Sequence, residues 1–273
     1  MKGPLSSKPV VFKKLCIGCG IRDTKCPAEG VSAIRMDAQR GEPSPARCGL
    51  RIGRLLMQRG MILSLLLLGA GVTTALAGEM LRIDDFEQGL SPRWEKRSFQ
   101  GETSYSVVTD NGGRVLRAQS QGTASGLVFK KEYRLQDYPL LSWRWKVKGT
   151  IPKGNERAKS GDDYAARVYV VFPHWFFPKT RTISYIWGNT LPRGAAVPSP
   201  YTGNAMMVAV ESGAEKVGEW QSARRNVLED YRKLFGAEPP AVGAIAIMTD
   251  TDNTGASAEA WYDDLQIEKL ITR

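Results

Sequence analysis

The chain has 273 residues, with 38 Lys and Arg against 28 Asp and Glu, a formal net charge of +10, one His and four Cys. The excess charge is confined to residues 1–77, which hold 12 Lys and Arg against 4 Asp and Glu; residues 78–273 are close to neutral, which excludes nucleic acid as a partner despite the basic pI. Cys16, Cys19, Cys26 and Cys48 also lie in that first part, so the remainder has no disulfides, and their spacing fits no standard thiolate metal framework.

In chain order, residues 1–56 are expected to be a disordered upstream extension ahead of a true start at Met57 or Met61. Residues 57–77 are expected to act as a signal peptide: Arg47 to Arg59 carries four arginines, Met61 to Val72 is apolar, and Ala75-Leu76-Ala77 is a small-x-small cleavage site. The apolar stretch is shorter than the roughly 20 residues of a spanning helix, although extension through Ala77 would make an uncleaved anchor. Cleavage after Ala77 is the expectation. The protein is then periplasmic or secreted, and meets a membrane only if the segment is retained.

Residues 78–273 are long enough for one domain with a real core. Trp143, Trp145 and Val147 alternate with Arg144, Lys146 and Lys148, the pattern of a half-buried strand. Similar runs recur at 81–86, 105–108, 115–118, 126–129, 165–172, 182–187, 205–210, 242–248 and 260–267, separated by turns such as Asp110-Asn111-Gly112-Gly113. One helix is expected over Arg224–Phe235, with Val227, Tyr231, Leu234 and Phe235 on one face and Gly236 as its stop. Many short strands with Gly-rich turns predict an all-β sandwich or barrel with one short packed helix.

Asp84-Asp85-Phe86-Glu87-x-Gly89 and Trp261-Tyr262-Asp263-Asp264-Leu265-x-Ile267 resemble the first and last strands of jelly-roll, galactose-binding-like sandwiches. Between them lie Trp143-Arg144-Trp145, Asp162-Asp163-Tyr164-Ala165-Ala166-Arg167-Val168-Tyr169, Glu211-Ser212-Gly213, Arg225-Asn226-Val227-x-x-Asp230-Tyr231 and Asp250-Thr251-Asp252-Asn253-Thr254. Together these resemble the bacterial domain-of-unknown-function family 3047, over residues 80 to 269. The resemblance implies the fold, an all-β jelly-roll β-sandwich with one short packed helix, preceded by a signal peptide, and it implies export; it implies no catalytic residue.

The candidate ligand residues follow from chemistry. Asp163 and Arg167, four apart on a strand, could meet on one face as carboxylate and guanidinium, with Asp162 beside them; a plain ion pair at the end of a loop is the other reading. Asp250, Asp252 and Asn253 sit in a loop that starts like a calcium site but lacks the EF-hand's Glu, position twelve being Trp261, and that also reads as an Asx-rich turn. Trp143, Trp145 and Trp261 read as core. Trp175, in Pro173-His174-Trp175-Phe176-Phe177-Pro178, reads as a contact loop, whether it rims a groove, meets a membrane surface or folds back over the sandwich. Tyr201 and Asn204 are the polar contacts of a long loop over 191–204. No cofactor is expected beyond a structural calcium ion, for which Asp84, Glu87 and Asp264 are the candidate ligands. The expected function is non-catalytic binding of a glycan or similar polar ligand. The alternatives are an assembly partner of an envelope protein, and a hydrolase or lyase using two of Asp162, Asp163, Asp250 and Asp252.

Overall fold

The computed structural model describes residues 79–270; the extension, the signal peptide and its cleavage site lie outside the described residues. Thirteen strands and one helix occur among the described residues: β1 (Met80–Asp84), β2 (Trp94–Gln100), β3 (Ser104–Asp110), β4 (Gly113–Gln121), β5 (Ala124–Tyr133), β6 (Leu140–Val147), β7 (Tyr164–Phe172), β8 (Arg181–Gly188), β9 (Ala196–Ser199), β10 (Thr202–Ser212), β11 (Gln221–Asn226), α1 (Val227–Phe235), β12 (Val242–Asp250) and β13 (Ser257–Glu268).

They form two sheets. One runs β11-β6-β13-β4-β3, with β1 also paired to β13; the other runs β2-β5-β12-β7-β8-β10-β9. All pairings are antiparallel except β8 with β10. Strand β13 serves two partners on one edge, pairing β4 over Ser257–Tyr262 and β1 from Leu265 to Glu268. This is the β-sandwich that the strand pattern left open beside a barrel, and the jelly roll that the family resemblance implied.

The core lies between the sheets. Trp143, Trp145 and Val147 of β6 face Tyr185 and Trp187 of β8, with ring centroids of Trp143 and Tyr185 5.3 Å apart and of Trp145 and Trp187 6.0 Å apart. Each such buried ring removes 150–250 Å² from water by the usual measure, about 1.5–3 kcal/mol per side chain. Arg144 and Lys146 point the other way, to Asp263 and Asp110.

Three strands escape the sequence pattern. Strand β2, with Lys96 and Arg97 among its residues, has too few apolar positions to register; β9 carries Pro198 and is short; β11 takes the first three residues of the predicted helix, Arg224 to Asn226. Arg224, Arg225 and Asn226 pair with Ser142, Leu141 and Leu140, so the helix begins at Val227 instead. Asn226 caps it by accepting from Glu229 N at 3.2 Å, and Gly236 closes it at φ 61°. Trp261 is also reassigned: it is half-buried beneath Lys146, and its neighbour Tyr262 enters the core.

Candidate functional site

Strand β7 is buried on both faces. Val168, Val170 and Phe172 belong to the core between the sheets, so Arg167, Tyr169 and Val171 lie on the outer face of the seven-stranded sheet. Register extends that face sideways: Arg167 stands between Met248 and Ile186, Tyr169 between Ala246 and Ser184, Val171 between Ala244 and Thr182.

Arg167 is 1% exposed. Its Nε donates to Asp250 Oδ1 at 2.9 Å and its Nη2 to Asp250 Oδ2, a two-pronged pair that fixes the guanidinium plane. The rings of Tyr164 and Tyr169 flank it, at 4.5 and 5.5 Å from the guanidinium carbon. Nη1 is left buried with no partner, and so are Ser184 Oγ and Thr182 Oγ1 on the neighbouring strand. Buried polar atoms are hydrogen-bonded in the great majority of cases, and an unmet one costs about 1–3 kcal/mol.

The partner of Arg167 differs from the sequence reading. Asp163 precedes β7 and accepts instead from Asn253 N (3.1 Å), Asn253 Nδ2 (3.2 Å) and Thr254 N (2.6 Å), which anchors the 250–255 turn. Asp162 accepts from Tyr164 Oη at 2.9 Å. Burial pushes its carboxyl up to about 6, with Arg167 opposing the shift. Burial also drives the Asp250 carboxyl upward, again against the pull of Arg167. Tyr201 donates to Asn253 Oδ1 at 2.9 Å and joins this group. Asp162, Asp163, Arg167, Tyr201, Asp250, Asp252 and Asn253 are thus brought together.

Trp175 and Asn204 are not part of it. Asn204 Nδ2 donates to Pro178 O at 2.7 Å, in the loop that follows β7, whereas the acidic group gathers where β7 begins. Nine strand residues, roughly 25 Å, separate the two. The hairpin of β9 and β10 bridges them, with Tyr201 reaching one end and Asn204 the other.

Oxygens of Asp163, Asp250 and Asp252 lie within 4.8 Å of one another, the one such set of three among the described residues. Those of Asp250 face a guanidinium and those of Asp163 accept N–H groups. The expected calcium ligands are spread over separate partners. Asp84 accepts from Phe86 N (2.9 Å) and Trp94 Nε1 (2.7 Å), Glu87 from Arg114 N (3.1 Å), and Asp264 pairs with Arg144 Nε (2.9 Å).

Sequence reasoning misses Thr182 and Ser184, because polar residues alternating with Ile183 and Tyr185 read as a solvent-facing strand edge. It also misses Glu156, which is buried and accepts from Asn189 N, Thr190 N, Thr190 Oγ1 and Leu191 N, pinning the loop after β8. A lone Glu in a polar loop gives no signal of that role.

A family model described as "Protein of unknown function (DUF3047)" matches residues 92–266. No curated protein sequence matches. Among solved structures, the chain is similar to the family 11 carbohydrate-binding module of the cellulosomal cellulase Lic26A-Cel5E of Clostridium thermocellum, with 13% identity, 72% of this chain and 98% of that chain covered, and a TM-score of 0.42. It is also similar to the family 30 carbohydrate-binding module of the cellulosomal cellulase Cel9D-Cel44B of the same organism, with 13% identity, 71% and 99% covered, and a TM-score of 0.39. The fold described above rests on the strand pairing itself and not on these likenesses.

Proposed function

The chain belongs to the DUF3047 family of proteins of unknown function, and we propose that it is a non-catalytic module that binds a neutral polyhydroxylic ligand, a glycan, on the outer face of its seven-stranded sheet. The observation that carries this reading is the set of three buried, unpartnered atoms, Arg167 Nη1, Ser184 Oγ and Thr182 Oγ1, on adjacent strands of one face. Hydroxyl groups satisfy such a set because they donate and accept at once.

Charge argues for a neutral ligand. Asp250 is matched by Arg167, and Asp163 and Asp252 stand beside that pair, so an anionic ligand meets carboxylates next to the guanidinium. The fixed plane of Arg167 supplies orientation, since its rotamer is already set by Asp250 and the two tyrosine rings. Following the signal-like segment, the module works in the periplasm or outside the cell.

The test is calorimetry of the purified protein against a panel of neutral and acidic envelope oligosaccharides, repeated with Thr182→Val and Ser184→Ala. A neutral glycan binds, and each variant weakens it about tenfold. Equal affinity in both variants would sink the reading. A second reading, glycan hydrolysis, draws support from the Asp162 carboxyl near 6, a value suited to a general acid. It requires shortened products in the same mixtures, abolished by Asp162→Asn.

A further inference from the structure

The two ends of the sandwich differ in kind. Strand directions place the end of β5, the end of β7, the start of β8, the start of β12 and helix α1 together at one end, opposite the Asp162–Asp252 group. Glu79 and Leu270 belong to that same end, because Met80 pairs with Glu268 and Lys269 N donates to Glu79 O.

From this end projects the loop 173–180, on which Trp175 is 90% exposed and Phe176 48%. Met80 and Leu270, two more of the large hydrophobic residues left exposed, lie at the same end. The loop is built, with four of its backbone N–H groups bonded within it. Phe176 N donates to His174 Nδ1 (3.0 Å), His174 N to Thr180 Oγ1 (3.2 Å), Lys179 N to Phe176 O (2.9 Å), Thr180 N to Phe177 O (2.8 Å) and Asn204 Nδ2 to Pro178 O (2.7 Å). Pro173 and Pro178 have no N–H to satisfy. A tip whose backbone is partly paired loses less on leaving water than an open loop.

Its rings form no flat platform for a sugar. Trp175 is inclined 33° to His174 and 47° to Phe176, a wedge with indole at its crest. Indole and phenyl at a protruding crest suit the boundary between headgroups and acyl chains.

Charge selects the surface. Around the wedge, Lys131, Arg134, Lys179 and Lys233 make no ion pair with a described residue, whereas Glu79, Glu95 and Glu238 are taken up by Lys269, Lys130 and Arg232, leaving Glu132, Asp137 and Glu229 as the nearby free acids. At the opposite end Asp250 and Glu211 are paired with Arg167 and Arg193, and Lys153, Arg157 and Lys159 share the loop with Glu156, Asp162 and Asp163. Four unpaired cations against three unpaired carboxylates give the wedge end a small positive excess, which favours an anionic layer. In the sequence, the apolar stretch Met61–Val72 joins this same end through six residues, Thr73 to Gly78.

We propose that this end of the sandwich docks on an anionic membrane surface, with Trp175 and Phe176 entering the interface and Lys131, Lys179 and Lys233 facing phosphate headgroups. This does not depend on the glycan reading, which concerns the outer sheet face around Arg167, Ser184 and Thr182 and not the exposed rings of loop 173–180.

Among the described residues every core residue lies between Ile83 and Ile267, and residues 78–273 serve as the test protein, free of the apolar stretch. The experiment is co-sedimentation and tryptophan emission with vesicles of phosphatidylcholine alone and of phosphatidylcholine mixed with phosphatidylglycerol. The mixed vesicles bind, emission shifts to the blue, and added salt weakens the binding. Trp175→Ala with Phe176→Ala lowers affinity at least about tenfold, and Lys179→Glu about fivefold or more on mixed vesicles. No binding to mixed vesicles overturns the proposal, as does binding that the double variant leaves unchanged. Capture on an immobilised glycan through Trp175, without vesicle binding, overturns it too.

Discussion

Arg167 and its neighbours show a polar face kept polar at a cost that packing alone does not require. Replacing Thr182 by Val or Ser184 by Ala removes a buried hydroxyl that has no partner, and each should raise stability by about 1 kcal/mol or more. For a domain of this size that is roughly 2–4 °C per kcal/mol in the melting temperature. A rise in stability joined to a loss of ligand marks a functional polar group; a fall in stability would mean that the hydroxyls are satisfied in solution and that the face is structural. Asp162 gives a pH signature. Its carboxyl is raised by burial from 3.8 to about 6 in the fold, so the folded state holds the proton more tightly than the unfolded chain. That contribution is complete below about 3.8 and is lost as pH rises through about 6. Two pKa units correspond to about 3 kcal/mol. In melts from pH 4 to pH 7, Asp162→Asn should flatten the decline seen in the parent protein by this amount. An identical slope in the variant would show that the carboxyl titrates as if in water.

Helix α1 illustrates how an element is held by its docking more than by its ends. Asp230 accepts from Tyr185 Oη at 2.8 Å and pairs with both prongs of Arg225 at 2.6 and 3.0 Å, tying the helix to a fully buried ring of β8. Asp230→Ala strands that phenol and the guanidinium and should cost about 3 kcal/mol. Asn226→Ala removes only the cap and should cost about 1 kcal/mol. Denaturant titrations that give the two variants equal losses would contradict this order. The stop of α1 at Gly236 and the face of Val227, Tyr231 and Leu234 are legible in the sequence, because helix period and a C-terminal glycine are local signals. Its start is not: Ala223 turns into the core from β11, and pairing with β6 overrides a pattern that continues the helix period backwards. The same limit governs the site. Asp162, Asp163 and Arg167 stand out as neighbours, yet the partner of Arg167 is Asp250, 83 residues away. A spacing of four cannot reveal a contact made by strand register. Thr182 and Ser184 stay hidden because alternation says which face a residue takes and not whether that face is covered.

The molecule as a whole depends on one shared core. Trp145 of β6, in the six-stranded sheet, packs against Trp143 on its own strand, with centroids 5.3 Å apart, and against Trp187 of the opposite sheet. No cysteine follows Cys48 in the chain, so no disulfide ties one sheet to the other between Glu79 and Leu270. Each sheet has its inner face dry only because the other covers it, which makes the stability of either sheet conditional on both. Reductant should therefore leave the melting temperature of residues 78–273 unchanged. Trp145→Ala, which opens a cavity in the middle of that contact, should cost about 3–5 kcal/mol and lower the stability of both sheets together. Far-ultraviolet circular dichroism, which reports strands everywhere, and tryptophan emission, which reports the inter-sheet indoles, should then keep coincident midpoints in parent and variant alike. Two separated transitions would mean that the sheets hold their structure independently, and the site built on β7 and β12 would then owe nothing to the sheet that faces it.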